Sequence, residues 1–266
     1  TRSSGQPGSS FNFTIRGNRS LTASNAPLIL VDGIAYGADI DINPNDVESI
    51  EVLKDASTTA IYGSRGANGV ILVTTKKGKE GKVKVDLNAY WGPSLSTNLP
   101  KMNNTQQYVA MRREAMRAVG QWSSPADDSV IWDAVALERI KNNVNTDWYD
   151  LIMDDATTQN YQVSVSGGTE ATKGSFSLDY FDETGILKGD DYNRYNGRMN
   201  LSQRIMKGME AGASALFTTS TRNAAPSNVF HAAQTKEPYG MPFNEDGTLN
   251  KYPFTGSGAT DINMLF

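Results

Sequence analysis

Cysteine is missing altogether from these 266 residues. That excludes disulfides, thiolate metal sites and cysteine nucleophiles. Histidine is nearly missing as well. The one copy, His231, lies in a polar stretch and reads as a surface residue, so a histidine-rich metal cluster or a Ser/His/Asp arrangement would have to rest on it alone. No run approaches the roughly 18 apolar residues of a membrane-crossing helix. If the chain crosses a bilayer, a closed β-barrel is the remaining way, because lipid cannot satisfy a free backbone edge. No signal segment opens the sequence; Thr1 starts a Gly/Ser-rich run that reads like the middle of a protein. Lys and Arg number 25 against 29 Asp and Glu, giving a net charge of −4 and a pI near 5.1. The basic residues form no run, so no nucleic-acid partner is implied. Apolar residues make up 38 %, a little low for a compact globule and suited to strands greasy on one face only.

Residues 1–80 mix short strands with turns. Phe11 to Ile15 alternates apolar and polar, as a half-buried strand does, and Pro27 to Val31 is a continuous apolar run stopped by the turn pair Asp32-Gly33. Val47 to Leu53 and Val70 to Thr75 are further strands. Ala56 to Tyr62 reads as a short helix that Asp55 or Ser57 can cap. Gly63, Gly66 and Gly69 then follow at a spacing of three. They resemble a phosphate cradle, but no strand–loop–helix order and no Gly-Lys-Ser/Thr accompany them. A tight return into the next strand, where small residues let backbones approach, is the physical reading. Asp39-x-Asp41-x-Asn43 imitates the start of a calcium loop, yet Pro44 and Ile50 stand where glycine and glutamate are needed, so no metal site is assigned. Together these elements suit a compact α+β domain.

After Lys82 the pattern changes. Val83, Val85, Leu87, Ala89 and Trp91 alternate with Lys84, Asp86, Asn88 and Tyr90. The same two-residue rhythm returns at Tyr161 to Ser166, Ser175 to Tyr180, Arg194 to Ile205 and Met209 to Phe217, giving about five strands. Arg194, Arg198 and Arg204 share one strand face, which is costly unless that face meets water. A sheet with one solvated face would show the same rhythm. Two features favour a barrel: aromatics near strand ends (Trp91, Tyr161, Tyr180, Tyr192), and long connections alternating with tight turns at Gly167-Gly168-Thr169 and Met206-Lys207-Gly208. The long first connection, about residues 92–159, holds two helical patterns. One starts at Thr105 with Tyr108, Met111, Ala115 and Ala118 on a stripe; the other starts at Ser129 with Val130, Ala134, Leu137 and Ile140. Paired acids such as Asp127-Asp128 and Asp190-Asp191 lie in turn-like segments and read as solvated. No catalytic constellation can be assembled, so an enzyme is not expected.

The run Val47-Glu-Ser-Ile-Glu-Val-Leu-Lys-Asp-Ala-Ser-Thr-Thr-Ala-Ile-Tyr-Gly-Ser-Arg-Gly-Ala-Asn-Gly-Val-Ile-Leu-Val-Thr-Thr-Lys76 resembles the plug signature of TonB-dependent transporters, and more narrowly the SusC/RagA family of Bacteroidota. Ile15-Arg16-Gly17 and Pro27 to Gly33 are similar to that family's upstream plug motifs, and Thr146 to Trp148, Tyr161 to Gly168 and Tyr180 to Gly189 to its barrel. The resemblance implies a membrane β-barrel, antiparallel and of about 22 strands in the intact protein, with an α+β plug inside its lumen. Residues 1–80 are then an amino-terminally truncated plug, and residues 81–266 the first part of the barrel with residues 92–159 as an extracellular loop. It also implies TonB-dependent import of an oligosaccharide or peptide across the cell outer membrane, with no cofactor. The implied partners are outer-membrane lipid, TonB with its inner-membrane energising complex, and a SusD-like surface lipoprotein. A β-rich adhesin or glycan-binding module is the alternative. The plug motif and plug–barrel contacts are expected at Arg16, Gly17, Asp32, Gly33, Glu48, Glu51, Gly63, Arg65, Gly66 and Gly69, with Tyr36, Asp39 and Asp41 on a loop facing solute.

Overall fold

A computed structural model describes residues 5–9, 13, 15, 26–37, 42–55, 60–97, 99–226, 228–255, 263 and 265. Arg16, Gly17, Asp39, Asp41 and most of the strand expected at Phe11 to Ile15 lie outside the described residues, as does the start of the helix expected at Ala56. The chain divides into two compact units, one formed by residues 1–94, 156–185 and 190–224, the other by the remaining connections.

The first unit contains two sheets. The smaller holds β1 (Leu28–Val31), β2 (Ile34–Tyr36), β3 (Val47–Leu53) and β4 (Val70–Thr75) in the order β2-β1-β4-β3. β1 and β4 run parallel, and the outer pairs are antiparallel. Ile29 and Val31 of β1 meet Ile71 and Val73 of β4 in one apolar cluster, against which Ile15, Tyr36, Ile42 and Val47 pack. Asp32 and Gly33 join β1 to β2 with positive φ at both residues, 48° and 87°. That is what the favoured two-residue hairpin turn requires, and it suits Asp-Gly. The segment before β4 is a 3-10 turn, Ala60–Gly66, broken at Gly63. Gly69 then reverses the chain with φ 98°, and a Cβ there would press on Ile15. The glycines thus serve a close backbone return.

The larger sheet is a five-stranded antiparallel meander of β5 (Gly81–Ser94), β6 (Ala156–Gly168), β7 (Thr172–Thr184), β8 (Asp191–Met206) and β9 (Met209–Asn223). Its rows follow the pleat. Val85, Val165, Phe176, Met199 and Ala215 lie side by side on one face; the next row on that face is Leu87, Val163, Leu178, Gly197 and Phe217; then come Ala89, Tyr161, Tyr180, Tyr195 and Thr219. The row beyond the tyrosines holds Trp91, exposed on the same face as expected from sequence, followed by the polar Gln159, Asp182, Asn193 and Thr221. Large apolar side chains on this face stay exposed, Leu87 at 78 % and Phe217 at 65 %. An apolar band closed by an aromatic row is the pattern of a membrane-facing wall. Tyr195, whose ring lies 4.8 Å from that of Tyr180, occupies that row. Tyr192, expected there, does not: two residues before Arg194, it shares the opposite face and is buried against Gly8. Strand parity, which is fixed by sequence spacing, overrides nearness to the strand end.

The second unit is helical. It holds α1 (Thr105–Ala118), a 3-10 turn at Pro125–Val130, α2 (Ala134–Lys141), α3 (Trp148–Ile152) and α4 (Val229–Thr235). α1 starts at a capping box in which Asn104 accepts from the Gln107 amide. Its inward stripe is the buried Thr105 and Val109 with the half-buried Tyr108, Arg113 and Met116; Tyr108 faces inward as expected from sequence, whereas Met111, Ala115 and Ala118 face outward. Arg113 explains the rotation. Asp128 pairs with its guanidinium, which lies 5.7 Å from the Trp122 ring and 5.9 Å from the Trp132 ring, so a charged side chain occupies an inward position. The second helix starts later than expected, where Asp133 accepts from the Ala136 amide. Trp148, Tyr149, Ile152, Val229, Ala233 and Phe254 form a separate core.

Between the sheets of the first unit, the link after β4 presses on the wall. A Cβ on Gly78 would collide with the Gly174 peptide of β7. Gly78→Ala in the complete protein is therefore expected to destabilise the seated smaller sheet by about 1–3 kcal/mol, the usual cost of overpacking a close backbone contact. Lys77→Ala should not; equal unfolding midpoints for the two variants would refute the contact.

Candidate functional site

The polar face of the wall is buried along the middle of β6, β7 and β8, where the smaller sheet and its turns cover it, and exposed on β5 and β9. Gln162 of β6, Ser177 and Asp179 of β7, and Arg194, Asn196, Arg198 and Asn200 of β8 are each at most 7 % exposed. They share one face because each stands at an even spacing from the next on its strand, and the register sets Gln162 beside Asp179 and Asn196, and Ser177 beside Arg198. Buried charge of this density persists only where donors and acceptors meet.

They meet on three carboxylates. Asp32, held in its hairpin turn, accepts from the Thr75 amide at 3.0 Å and the Thr75 hydroxyl at 2.5 Å, and pairs with Arg198 of β8. Asp46 closes a 3-10 turn after Pro44; Gln162 donates to it at 2.6 Å and Ser177 at 3.1 Å. Asp179 lies on the wall itself. It accepts from Asn43 of the smaller sheet's domain at 2.5 Å, from Asn160 at 2.5 Å, from Arg194 at 3.1 Å and from Asn196 at 3.2 Å. Asn43 is aimed by its own local bond: its carbonyl caps the Asn45 amide at 2.8 Å, which leaves its amide group to reach Asp179. Lys76 adds a backbone tie, with its carbonyl 3.5 Å from both Ser175 Oγ and Asn200 Nδ2.

Two of these acids are tuned in opposite directions. Burial pushes Asp46 above the ordinary carboxylate range, and the bonds from Ser177 and Gln162 and the charge of Arg198 only partly offset it. Burial acts on Asp32 in the same sense, but there the Thr75 hydroxyl and amide and the Arg198 charge prevail and hold the carboxyl below its usual value. Arg198 Nε and Nη1, Asn196 Oδ1 and Asn200 Oδ1 have no protein partner among the described residues, so the seam is bonded strongly at a few points and incompletely between them.

Of the residues singled out from sequence, Asp32 reaches the wall, with Gly33 beside it in the turn. Glu48 instead pairs with Lys79 at 2.8 Å on the surface. Glu51 and Arg65 are exposed and have no ion-pair partner among the described residues; Gly63 is exposed, whereas Gly66 and Gly69 are buried in the return to β4. Tyr36 is half-buried and packs on the apolar cluster of β1 and β4. Asn43, Asp46, Thr75 and Asp179 were missed. Inward parity with Ser175 and Ser177 was the available signal for Asp179, since an arginine-bearing face calls for acids nearby. Among the described residues no group of three or more His, Asp or Glu is placed to hold a metal.

Residues 1–70 match the TonB-dependent Receptor Plug Domain family. The chain is 35 % identical to TonB-dependent receptor P26 of Formosa agariphila over 95 % of its own length and 25 % of that relative. It is 37 % identical to TonB-dependent receptor SusC of Bacteroides thetaiotaomicron over 74 % of the chain and 19 % of the relative. A solved structure of the RagAB peptide transporter superposes with TM-score 0.82 at 29 % identity, covering 99 % of this chain and 33 % of that one. The chain thus spans a quarter or less of these curated relatives.

The opposed acids give a signed prediction. Asp32, with its lowered value, contributes stability that is present above its unfolded pKa of 3.8 and lost as pH falls through the folded value. Asp46, with its raised value, favours the folded state when protonated and loses that contribution as pH rises through its folded pKa. Asp32→Asn is expected to cost roughly 2–3 kcal/mol at neutral pH, because it strands Arg198, and the gap to wild type should close on acidification. Asp46→Asn should cost less than about 1 kcal/mol at neutral pH. Unfolding midpoints measured across the acid range check both.

Proposed function

The chain carries the plug and an adjoining stretch of barrel wall of a SusC/RagA-like TonB-dependent receptor, and on that premise we propose that the complete protein actively imports a bulky nutrient, an oligosaccharide or a peptide, across the outer membrane. The strands cross the bilayer with the apolar rows toward lipid and the polar rows toward the lumen. The plug domain, residues 1–80, fills that lumen. Solute binds on the outer loops and plug, and no chemistry is performed on it. Force delivered through TonB displaces the plug. A SusD-like lipoprotein caps the barrel on its outer side, where the connection between β5 and β6 and the one after β9 leave the wall.

The observation that carries this reading is the seam of Asp32, Asp46 and Asp179. It joins plug to wall through side chains from three adjacent strands, and it buries the whole polar face of β8 between Arg194 and Asn200. A binding module with a free polar face would gain nothing from covering it. The seam's short Asn, Gln, Ser and Asp side chains form discrete bonds that break over small displacements, in contrast with an interdigitated apolar core. Such an interface holds firmly at rest and yields to a directed pull.

The test uses the complete protein in cells lacking other importers. Uptake of labelled oligosaccharides and peptides is measured with TonB present and deleted, for wild type and for Asp179→Leu combined with Arg198→Ala. Energised uptake that vanishes without TonB is expected from wild type. The double variant should admit a large antibiotic several-fold faster than wild type, independently of TonB. TonB-independent uptake by wild type, or unchanged antibiotic entry in the variant, would refute the proposal.

A further inference from the structure

Gly197 leaves a hollow in the outer face of the wall. It stands in the row Leu87, Val163, Leu178, Gly197 and Phe217, where it alone has no side chain. The hollow measures about 300 Å³ and is walled by Val163, Leu178 and Phe217, with Tyr161, Tyr180 and Tyr195 at one end. Asp179 and Asn196 border it through their backbones, because their side chains point to the opposite face and are bonded there. Its walls are therefore hydrocarbon and aromatic carbon. Four neighbouring strands, β6 to β9, frame it with unbroken register on both sides of Gly197, so the site is complete within this stretch of wall.

Its position identifies what fills it. The hollow lies one row below the tyrosines and two below the row of Trp91, Gln159, Asp182 and Asn193. On the reading that these strands cross the outer membrane, that depth is the upper hydrocarbon layer, with the tyrosine hydroxyls at headgroup level. A hollow in contact with lipid forfeits dispersion contacts if it stays empty. Lipid tails gain little from generic apolar burial here, being as apolar as the protein, so closeness of fit decides what binds. We infer that the Gly197 hollow is a binding site for one acyl chain of an outer-membrane lipid, whose headgroup sits beside Tyr161, Tyr180 and Tyr195. Gly197 is not required by its backbone, since its φ is not among the positive ones. A Cβ there would rest 3.4 Å from Leu178 Cδ2, an ordinary contact, so a larger side chain can occupy the hollow without disturbing the strand.

The test purifies the complete protein from phosphatidylethanolamine–phosphatidylglycerol nanodiscs into mild detergent and counts bound phospholipids by native mass spectrometry. Wild type should retain one more phospholipid than Gly197→Leu, while Ala215→Leu, on the neighbouring row, should match wild type. Equal counts for wild type and Gly197→Leu in protein that has entered the discs overturn this inference alone. So does a second copy of the protein retained by wild type and released by Gly197→Leu, which would give the hollow to a protein contact. Failure to enter the discs at all overturns the transporter reading together with this inference.

Discussion

A carboxylate removed from water must be met by donors or it will not stay charged where it is. Asp179 lies at the centre of the first unit under that constraint, with Asn43 arriving from the plug, Asn160 from β6, and Arg194 and Asn196 from β8. Much of the surrounding arrangement serves it or copies it. Asn43 needs the turn at Pro44 to be aimed; the turn in turn delivers Asp46 to Gln162 and Ser177. Asp32 depends on a positive-φ hairpin to reach both Thr75 and Arg198. Local backbone chemistry in the plug thus sets the position of bonds made tens of residues away along the chain.

The wall solves a different problem with the same backbone. Each strand must offer carbon to one side and hydrogen bonds to the other, and a period of two is the one arrangement that does both. A shift of one residue would set Arg198 among Phe176 and Leu178 and send Met199 into the seam. The polar rows hold the register against that, because Asp46, Asp32 and Asn43 meet their partners only at the present pairing.

Much of this was legible in the sequence. The five wall strands, the plug strands at Pro27 to Val31, Val47 to Leu53 and Val70 to Thr75, and the Asp32-Gly33 turn follow from period and turn chemistry. The faces of β8 could be read directly from Arg194, Asn196, Arg198 and Asn200. Partners across the seam could not. Glu48 and Asp46 are both acids two residues apart, yet one lies in the open beside Lys79 and the other is buried; only the bend at Pro44 decides between them. The rotation of α1 was equally hidden. Its inward position is filled by Arg113, and hydrophobicity does not reveal an arginine bound by two tryptophans and an aspartate.

The contact of Gly78 with Gly174 bears on how the two sheets can part. Backbone lies against backbone there, with Lys76 tied to Ser175 and Asn200 just upstream. The smaller sheet is therefore tethered at its carboxyl end, where the chain's own link and a close contact coincide, like a stopper on a short chain. Whatever separates the two sheets elsewhere, the distance between them at this end is bounded by a covalent link of a few residues.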